Sequence, residues 1–276
     1  MKFEKELEVA KAAAHKAGEI IMASYNRISE HDVDEKGRND FVTVVDLESQ
    51  RVILDAIRKA FPRDHVVAEE SLPAGFNDGA DPKRRWYIDP LDGTTNYIHA
   101  YPHFAVTIAL EVAGDLSVAV THSPVYRETY YAVRGEGAYM NGTPIHVSNA
   151  VVGGPIMLGT GFPFRARHLL EIYLKSFSFF FNHSRGLRRG GSAALDLAYV
   201  AAGRFDGFWE LTLSPWDIAA GVLLIEEAGG RVTDFFGGRT FLETGHIVVS
   251  NGLLHDWMVG GVGEVFPRDL DYSKRS

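Results

Sequence analysis

Apolar residues at Leu7, Ala10, Ala14, Ala17 and Ile21 recur every three or four positions, which predicts an amphipathic helix near the start of the chain. The period then breaks. ISEHDVDEKGRNDF, residues 28–41, is polar, charged and unpatterned, and reads as a loop. A second helix is expected from about Asp46 to Phe61, with Ile53, Ile57 and Phe61 on one face and Pro62 marking its end. HVVA, residues 65–68, is a short strand that empties into Glu69-Glu70-Ser71. SLPAGFNDGADPKRR, residues 71–85, is rich in Gly, Pro, Asp and Asn and predicts a long connection. Trp86-Tyr87-Ile88 opens a buried strand.

From His103 to Val147 the pattern is that of antiparallel strands: FAVTIALEV, LSVAVTHS, ETYYAV and AYMNGTPIHV, the last carrying an Asn141-Gly142 hairpin signal. The chain restarts after Gly153-Gly154-Pro155. MLGTGF predicts a strand, RARHLLEIYLKSFSFFF a helix, and GGSAALDLAYVAAG a helix reached through glycines. FDGFWEL predicts a strand, SPWDIAAGVLLIEEAGG a helix ended by its glycine pair, and RVTDFF and HIVVSN the closing strands. The expectation is a mixed α and β protein of two lobes, residues 1–150 and 151–276.

Composition narrows the function. The 276 residues suffice for a large core, and 46% hydrophobic with 23% charged is ordinary for a globular protein. A net charge of −8 argues against direct binding to nucleic acid or an anionic membrane. It also disfavours an anionic substrate, unless metal ions invert the local field. The absence of cysteine excludes disulfides, zinc–thiolate sites and thiol nucleophiles. No stretch reads as a signal peptide or membrane span, so a cytoplasmic protein is expected.

The candidate chemistry begins where the Trp86 strand stops. DPLDGTTN, residues 89–96, places two carboxylates three residues apart at the end of an apolar strand. A lone Asp-x-x-Asp of this kind is more often a turn than a metal site. Here the strand delivers Asp89 and Asp92 to its carboxyl end, where ligands bind in layered α/β proteins. Gly93-Thr94-Thr95 can turn N–H groups and hydroxyls toward an anion, and HVVA delivers Glu69-Glu70 in the same way. Asp217, three residues after Ser214, has a helix-capping signature but can also face a cleft. Oxygen ligands from Glu69, Asp89, the Leu91 carbonyl, Asp92 and Asp217 suit Mg²⁺. Two such ions sharing Asp89 could clamp a phosphate and activate a water without a side-chain nucleophile. The eleven histidines show no zinc-ligand spacing, and Ser192 lacks a nucleophile-elbow frame.

AEES at residues 68–71, DPLDGTTN at 89–96 and PWDIAAG at 215–221 resemble, in order, the three metal-site motifs of the inositol monophosphatase family, the Mg²⁺-dependent, lithium-sensitive phosphatases. RRGGSAALDLAYVAAG resembles the family's bacterial, extragenic-suppressor branch. The resemblance covers nearly the whole chain and implies a layered αβαβα sandwich, a homodimer, and two or three Mg²⁺ per subunit. It implies that Glu69, Asp89 and the Leu91 carbonyl hold one metal, and that Asp89, Asp92 and Asp217 hold another. Thr94, with Asp46 behind it, orients the attacking water, and Glu69 joins them as a catalytic residue. Asp92, Gly93, Thr94, Thr95, Arg188, Gly191, Ser192, Ala193, Glu210 and Asp217 would contact substrate, and Lys36 would lie on a loop that closes over the metals.

The expected activity is hydrolysis of inositol monophosphate. Thr94-Thr95-Asn96-Tyr97 resembles the inositol branch, and a carboxylate such as Glu210 suits hydroxyls better than a second phosphate. The resemblance also implies a scaffold that serves fructose 1,6-bisphosphate, histidinol phosphate and phosphoadenosine nucleotides, so fold alone does not choose the substrate. Arg188 and Arg189 are the counter-evidence to inositol, because paired arginines could hold a second phosphate. A second expectation, of a different class, is a transcription-machinery partner active in antitermination, with catalysis secondary.

Overall fold

A computed structural model describes residues 2–27, 33–37, 40–268, 270 and 272, and of residues 33–37 and 40–42 the backbone alone. The first expected helix is α1 (Glu4–Ser24), whose stripe of Leu7, Ala10, Ala14, Ala17 and Ile21 is buried throughout. The second is α2 (Val44–Ala60), burying Val45, Ile53, Leu54 and Ile57. Thr43 caps α2 by accepting from the Val45 and Asp46 N–H groups, and Asp46 reciprocates by accepting from the Thr43 N–H. Within the expected loop at 28–41, backbone pairing forms an antiparallel ribbon of β1 (Val33–Gly37) and β2 (Asp40–Thr43).

Seven strands follow in chain order across one sheet: β3 (Asp64–Ala68), β4 (Asp81–Asp92), β5 (Ala105–Val112), β6 (Asp115–Ser123), β7 (Glu128–Val133), β8 (Ala138–Met140) and β9 (Thr143–Ile145). Only β3 and β4 run parallel in it. The expected connection at 71–85 is shorter than its composition suggests. Its last residues already belong to β4, where Arg84 and Arg85 pair with Val112 and Glu111 of β5. A five-stranded sheet of β10 (Met157–Thr160), β11 (Gly186–Arg188), β12 (Gly207–Glu210), β13 (Arg231–Thr233) and β14 (Ile247–Ser250) has the order β11-β10-β12-β14-β13. The short β13 stops at Thr233 because Asp234 turns the chain, accepting from the Phe236, Gly238 and Thr240 N–H groups.

Strand alternation divides the core into three. Trp86, Ile88, Val106, Ile108, Leu110, Val118 and Val120 face α1 and α2. The opposite face of the same strands carries Tyr87, Ala109, Ala119 and Ala132, and these pack on α5 (Ala193–Ala201) and α6 (Pro215–Glu227). Small residues there let the helices approach the sheet closely. Phe208, Ile247 and Val249 close the far side of the α5–α6 layer. Their strand neighbours Trp209 and Val248 instead meet α4 (Leu170–His183) and α8 (His255–Gly263). The resulting order is helix, sheet, helix, sheet, helix. Each fully buried Leu, Ile or Phe in these layers gains about 1.5–3 kcal/mol from leaving water. Among the described residues, no helix is long and apolar enough to cross a membrane.

Candidate active site

The carboxyl end of β4 is irregular. Asp89 pairs with Thr107 of β5 but Asp92 pairs with Ala105, so the β4 side carries one residue more than its partner. Pro90, with no N–H to donate, sits inside this bulge. Gly93 follows with φ 97°, and an added Cβ there would lie 3.0 Å from the His103 carbonyl oxygen and 3.3 Å from that of Gly191. Glycine is therefore required both by conformation and by the close approach of two other segments. The short helix α3 (Thr94–Ile98) begins immediately afterwards, and Tyr97 is the first residue whose N–H bonds back, to Gly93 O at 3.0 Å. The N–H groups of Thr94, Thr95 and Asn96 have no intrahelical acceptor.

Four aspartates meet around this bulge, and each commits one oxygen to backbone. Asp89 Oδ1 accepts from Leu91 N–H at 2.9 Å. Asp92 Oδ2 accepts from Ala194 N–H at 2.7 Å and from Ser192 Oγ at 2.6 Å, tying β4 to the first turn of α5. Asp217 Oδ2 accepts from Ser214 N–H at 2.7 Å, the capping contact its sequence position suggested. Asp46 Oδ2 caps α2, while its Oδ1 accepts from Thr94 Oγ1 at 3.1 Å. The Thr94 hydroxyl also lies 3.1 Å from the Leu91 carbonyl oxygen. Glu69 is held at the end of β3 by its N–H, which donates to Ile88 O at 3.1 Å. The next residue, Glu70, is turned into the interior, where its backbone exchanges hydrogen bonds with the Gln50 amide.

The electrostatics of the cluster are unfavourable as it stands. Burial raises Asp89 well above the usual carboxylate range, and the charges of Glu69, Asp92 and Asp217 add to it. Asp92 is raised to about 7, first by burial and then by Asp217, against the lowering effect of its bonds to Ser192 and Ala194. Asp46 is raised to about 6 by burial, opposed by its bonds to Thr43 and Thr94. Carboxylates in this condition call for a cation. The donors are oxygens only, which fits Mg²⁺ rather than a soft metal. Among the described residues, no three Asp, Glu or His side chains close on a common point as a finished ligand set.

All of this opens on one cleft of about 660 Å³. Glu69, Asp89, Leu91, Asp92, Gly93, Thr94, Thr95, Gly191, Ser192, Ala193, Glu210 and Asp217 line it, with Asp46 directly behind Thr94. Glu210, at the end of β12, is raised well above its ordinary value by burial, with Arg189 opposing. Arg188 is not brought to the cleft. It is exposed and its Nη1 donates to the Leu187 carbonyl, whereas Arg189, the next residue, lines the cleft and lies over the rings of Phe164 and Phe162. Lys36 lies on β1, and its side chain is outside the described residues.

Sequence reasoning missed several lining residues. Arg165 and Arg167 come from the loop after β10, and only their position beyond a strand's carboxyl end could have pointed to them. Asn96 clamps the two halves of the cleft, its Nδ2 donating to His103 O at 2.6 Å and Gly190 O at 3.0 Å. Asp196, buried and 3.3 Å from His103 Nε2, supports the same loop.

Known proteins resemble this chain in sequence and in fold. The Nus factor SuhB of Escherichia coli is 48% identical over 245 residues, covering 89% of this chain and 91% of that protein. The Nus factor SuhB of Pseudomonas aeruginosa is 49% identical over 248 residues, with the same coverage. The crystal structure of extragenic suppressor protein suhB from Bartonella henselae superimposes with a TM-score of 0.89 at 36% identity, over 95% of this chain and 100% of that one. An inositol monophosphatase from Anabaena gives 0.85 at 38% identity, over 97% and 99%. The description Inositol monophosphatase family fits residues 2–265. With the layered fold and nearly the whole length in agreement, the chain belongs to the inositol monophosphatase family.

Proposed function

We propose that the protein is a Mg²⁺-dependent phosphomonoesterase that hydrolyses inositol monophosphate to inositol and phosphate by direct attack of water. The observation that carries this reading is the convergence of Glu69, Asp89, Asp92 and Asp217 with the Thr94–Asp46 pair in one cleft. Glu69, Asp89 and the Leu91 carbonyl would hold one metal, and Asp89, Asp92 and Asp217 another. When bound, Mg²⁺ would supply Lewis acidity, lowering the pKa of water and neutralising phosphate and leaving-group charge.

The protein's own groups divide the remaining work. Thr94 Oγ1 donating to Asp46 Oδ1 keeps its lone pairs for a water in the cleft, so the pair orients that water and draws off its proton. Glu69 faces the same volume. The N–H groups of Thr94 and Thr95 offer donors to phosphate oxygens. Across the cleft, Glu210 and the turn Gly191-Ser192-Ala193 present acceptors and donors to the hydroxyls of a sugar alcohol. Arg189, rather than Arg188, is the cation that would meet the substrate. A homodimer is proposed with this reading, supported by Leu170, Leu174 and Phe181, which leave an apolar stripe exposed on α4.

Phosphate release from inositol 1-phosphate, with Mg²⁺ and with or without lithium, tests the proposal against fructose 1,6-bisphosphate and histidinol phosphate. Lithium-sensitive release from inositol 1-phosphate supports it. Preference for another phosphate ester overturns the substrate while keeping the reaction, and no turnover with Mg²⁺ overturns both. A second reading is favoured by the relatives named Nus factor: that this chain too is a transcription-machinery partner. Asp89→Asn separates the two, because it removes phosphatase activity and leaves a docking surface unaltered.

A further inference from the structure

Residues 211–214 join β12 to α6 and carry the chain from Glu210 to Asp217 along the cleft. Thr212, in their middle, has φ 63° and lines the cleft. Left-handed backbone suits glycine and tolerates asparagine, but in a β-branched residue the side chain crowds the main chain. Among the described residues, six other than glycine take positive φ, and Thr212 is the only β-branched one. It is also the only one of the six at the cleft. The two other positive-φ positions that line the cleft, Gly93 and Gly191, are both glycine.

The turn is held in place through its backbone. Thr212 N–H donates to His246 Nδ1 at 3.2 Å, and Leu213 N–H donates to Gly245 O at 3.0 Å. Gly245 lets the two segments meet, since an added Cβ there would collide with the Leu213 carbonyl. Glycine at 212 would keep both bonds, because neither uses the threonine side chain. That side chain ties no other element down: among the described residues its hydroxyl donates only to the adjacent Leu211 O, at 2.6 Å. Thr212 is 8% exposed and lies two residues from Glu210 on the cleft wall. Strained residues of this kind, held by their surroundings, cluster at binding and active sites.

We infer that Thr212 is a specificity-determining residue, whose side chain walls the cleft beside Glu210 and limits the leaving alcohol to a compact polyol. The inference rests on the proposed phosphomonoesterase activity and on Glu210 as the contact for that alcohol. Glycine at 212 would relieve the backbone and remove the wall while leaving the turn's bonds intact. The fold then loses nothing and substrate choice loosens. A threonine kept for packing would behave differently, since its removal would weaken the fold and leave substrate choice alone.

The test is steady-state kinetics of the full-length protein with Mg²⁺ on inositol 1-phosphate and on adenosine 2′-monophosphate, whose leaving alcohol is a whole nucleoside. Melting curves of each variant accompany it. Thr212→Gly is expected to lower the ratio of kcat/KM for inositol 1-phosphate over the nucleotide by about tenfold, the discrimination open to one small side chain in a pocket. The change should fall mainly on KM, as for a contact made equally in the ground and transition states. Its Tm should be no lower than wild type. Thr212→Ser, which keeps the Cβ and the hydroxyl, should retain most of the preference. With wild type active, an unchanged ratio in Thr212→Gly, whether both rates hold or fall together, overturns the specificity role and leaves the phosphatase reading standing. A Tm of Thr212→Gly below wild type overturns it too, because the side chain is then held for packing. No turnover by wild type, or a wild-type preference for the nucleotide, overturns the proposed function and this inference together.

Discussion

At the scale of single residues, the cluster reconciles two readings that local sequence set against each other. Asp46 and Asp217 each look like helix caps, and each is one. Asp46 gives Oδ2 to the Thr43 N–H and Oδ1 to Thr94, while Asp217 gives Oδ2 to Ser214 N–H and still lines the cleft. A carboxylate has two oxygens, so a structural bond on one fixes the direction of the other. Thr94 then becomes the most informative position, since it joins Asp46 to the cleft without being a proposed ligand. Thr94→Ala is expected to lower kcat by about 10²–10³-fold, the usual scale for losing a proton-handling group. Mg²⁺ affinity should stay within about twofold on this argument, and Thr94→Ser should retain most activity. Steady-state kinetics beside a Mg²⁺ titration check the split. Glu69 and Arg189 reach the cleft and their neighbours Glu70 and Arg188 do not, a choice of side that the sequence reading makes correctly for the first pair and not for the second. Successive strand residues point to opposite sides, so one of each pair reaches the cleft.

At the scale of elements, the longer helices and the antiparallel run were legible because their periods are enforced by burial on one face. The elements that position the site were less so. The connection expected through Arg85 ends earlier because ladder pairing with β5 recruits a charged stretch that composition assigns to a loop. The bulge at Asp89–Asp92 has no signature beyond Pro90, since it is defined by a partner strand distant in sequence. Contact between α5 and α6 is tighter than either sequence reveals: a Cβ added at Gly221 would lie 2.5 Å from Leu197. Gly221→Val is therefore expected to cost about 1–3 kcal/mol by overpacking the central helical layer. It should lower the denaturation midpoint at unchanged m-value, which chemical unfolding measures.

At the scale of the whole molecule, stability, pH and metal are linked through buried charge. Asp92 has its folded pKa raised from the ordinary carboxylate value to about 7. The metal-free folded state therefore holds a proton that the unfolded state releases, and stability falls as pH rises through about 7. His122, His246 and His255 act in the opposite sense. Burial lowers each to about 4, so the unfolded state takes protons first and stability falls as pH drops below about 6.5. Mg²⁺ should raise Tm more near pH 8 than near pH 6, because Asp92, raised to about 7, is largely ionised only at the higher pH. Differential scanning calorimetry across pH, with EDTA or with Mg²⁺, measures both limbs. A flat profile with no metal-dependent rise would contradict the charge-repulsion account of the cleft.

The sequence by itself determined a mixed α and β protein, the helices α1, α2, α5 and α6, and the carboxylates at 69, 89, 92 and 217 as one chemical group. These follow from periodicity and from short motifs whose residues act where they stand in the chain, whereas the αβαβα layering was implied by the family resemblance of those motifs. Only the tertiary structure decided that the aspartates serve backbone and cleft at once, that Arg189 rather than Arg188 lines the cleft, and that Arg165 lies against Glu69 and Asp217. Those facts depend on contacts between segments 48 to 102 residues apart, which no local pattern encodes. They arise where layers packed for burial bring several strand ends and helix starts to one edge, and the charges gathered there are set by packing and not by neighbours in sequence.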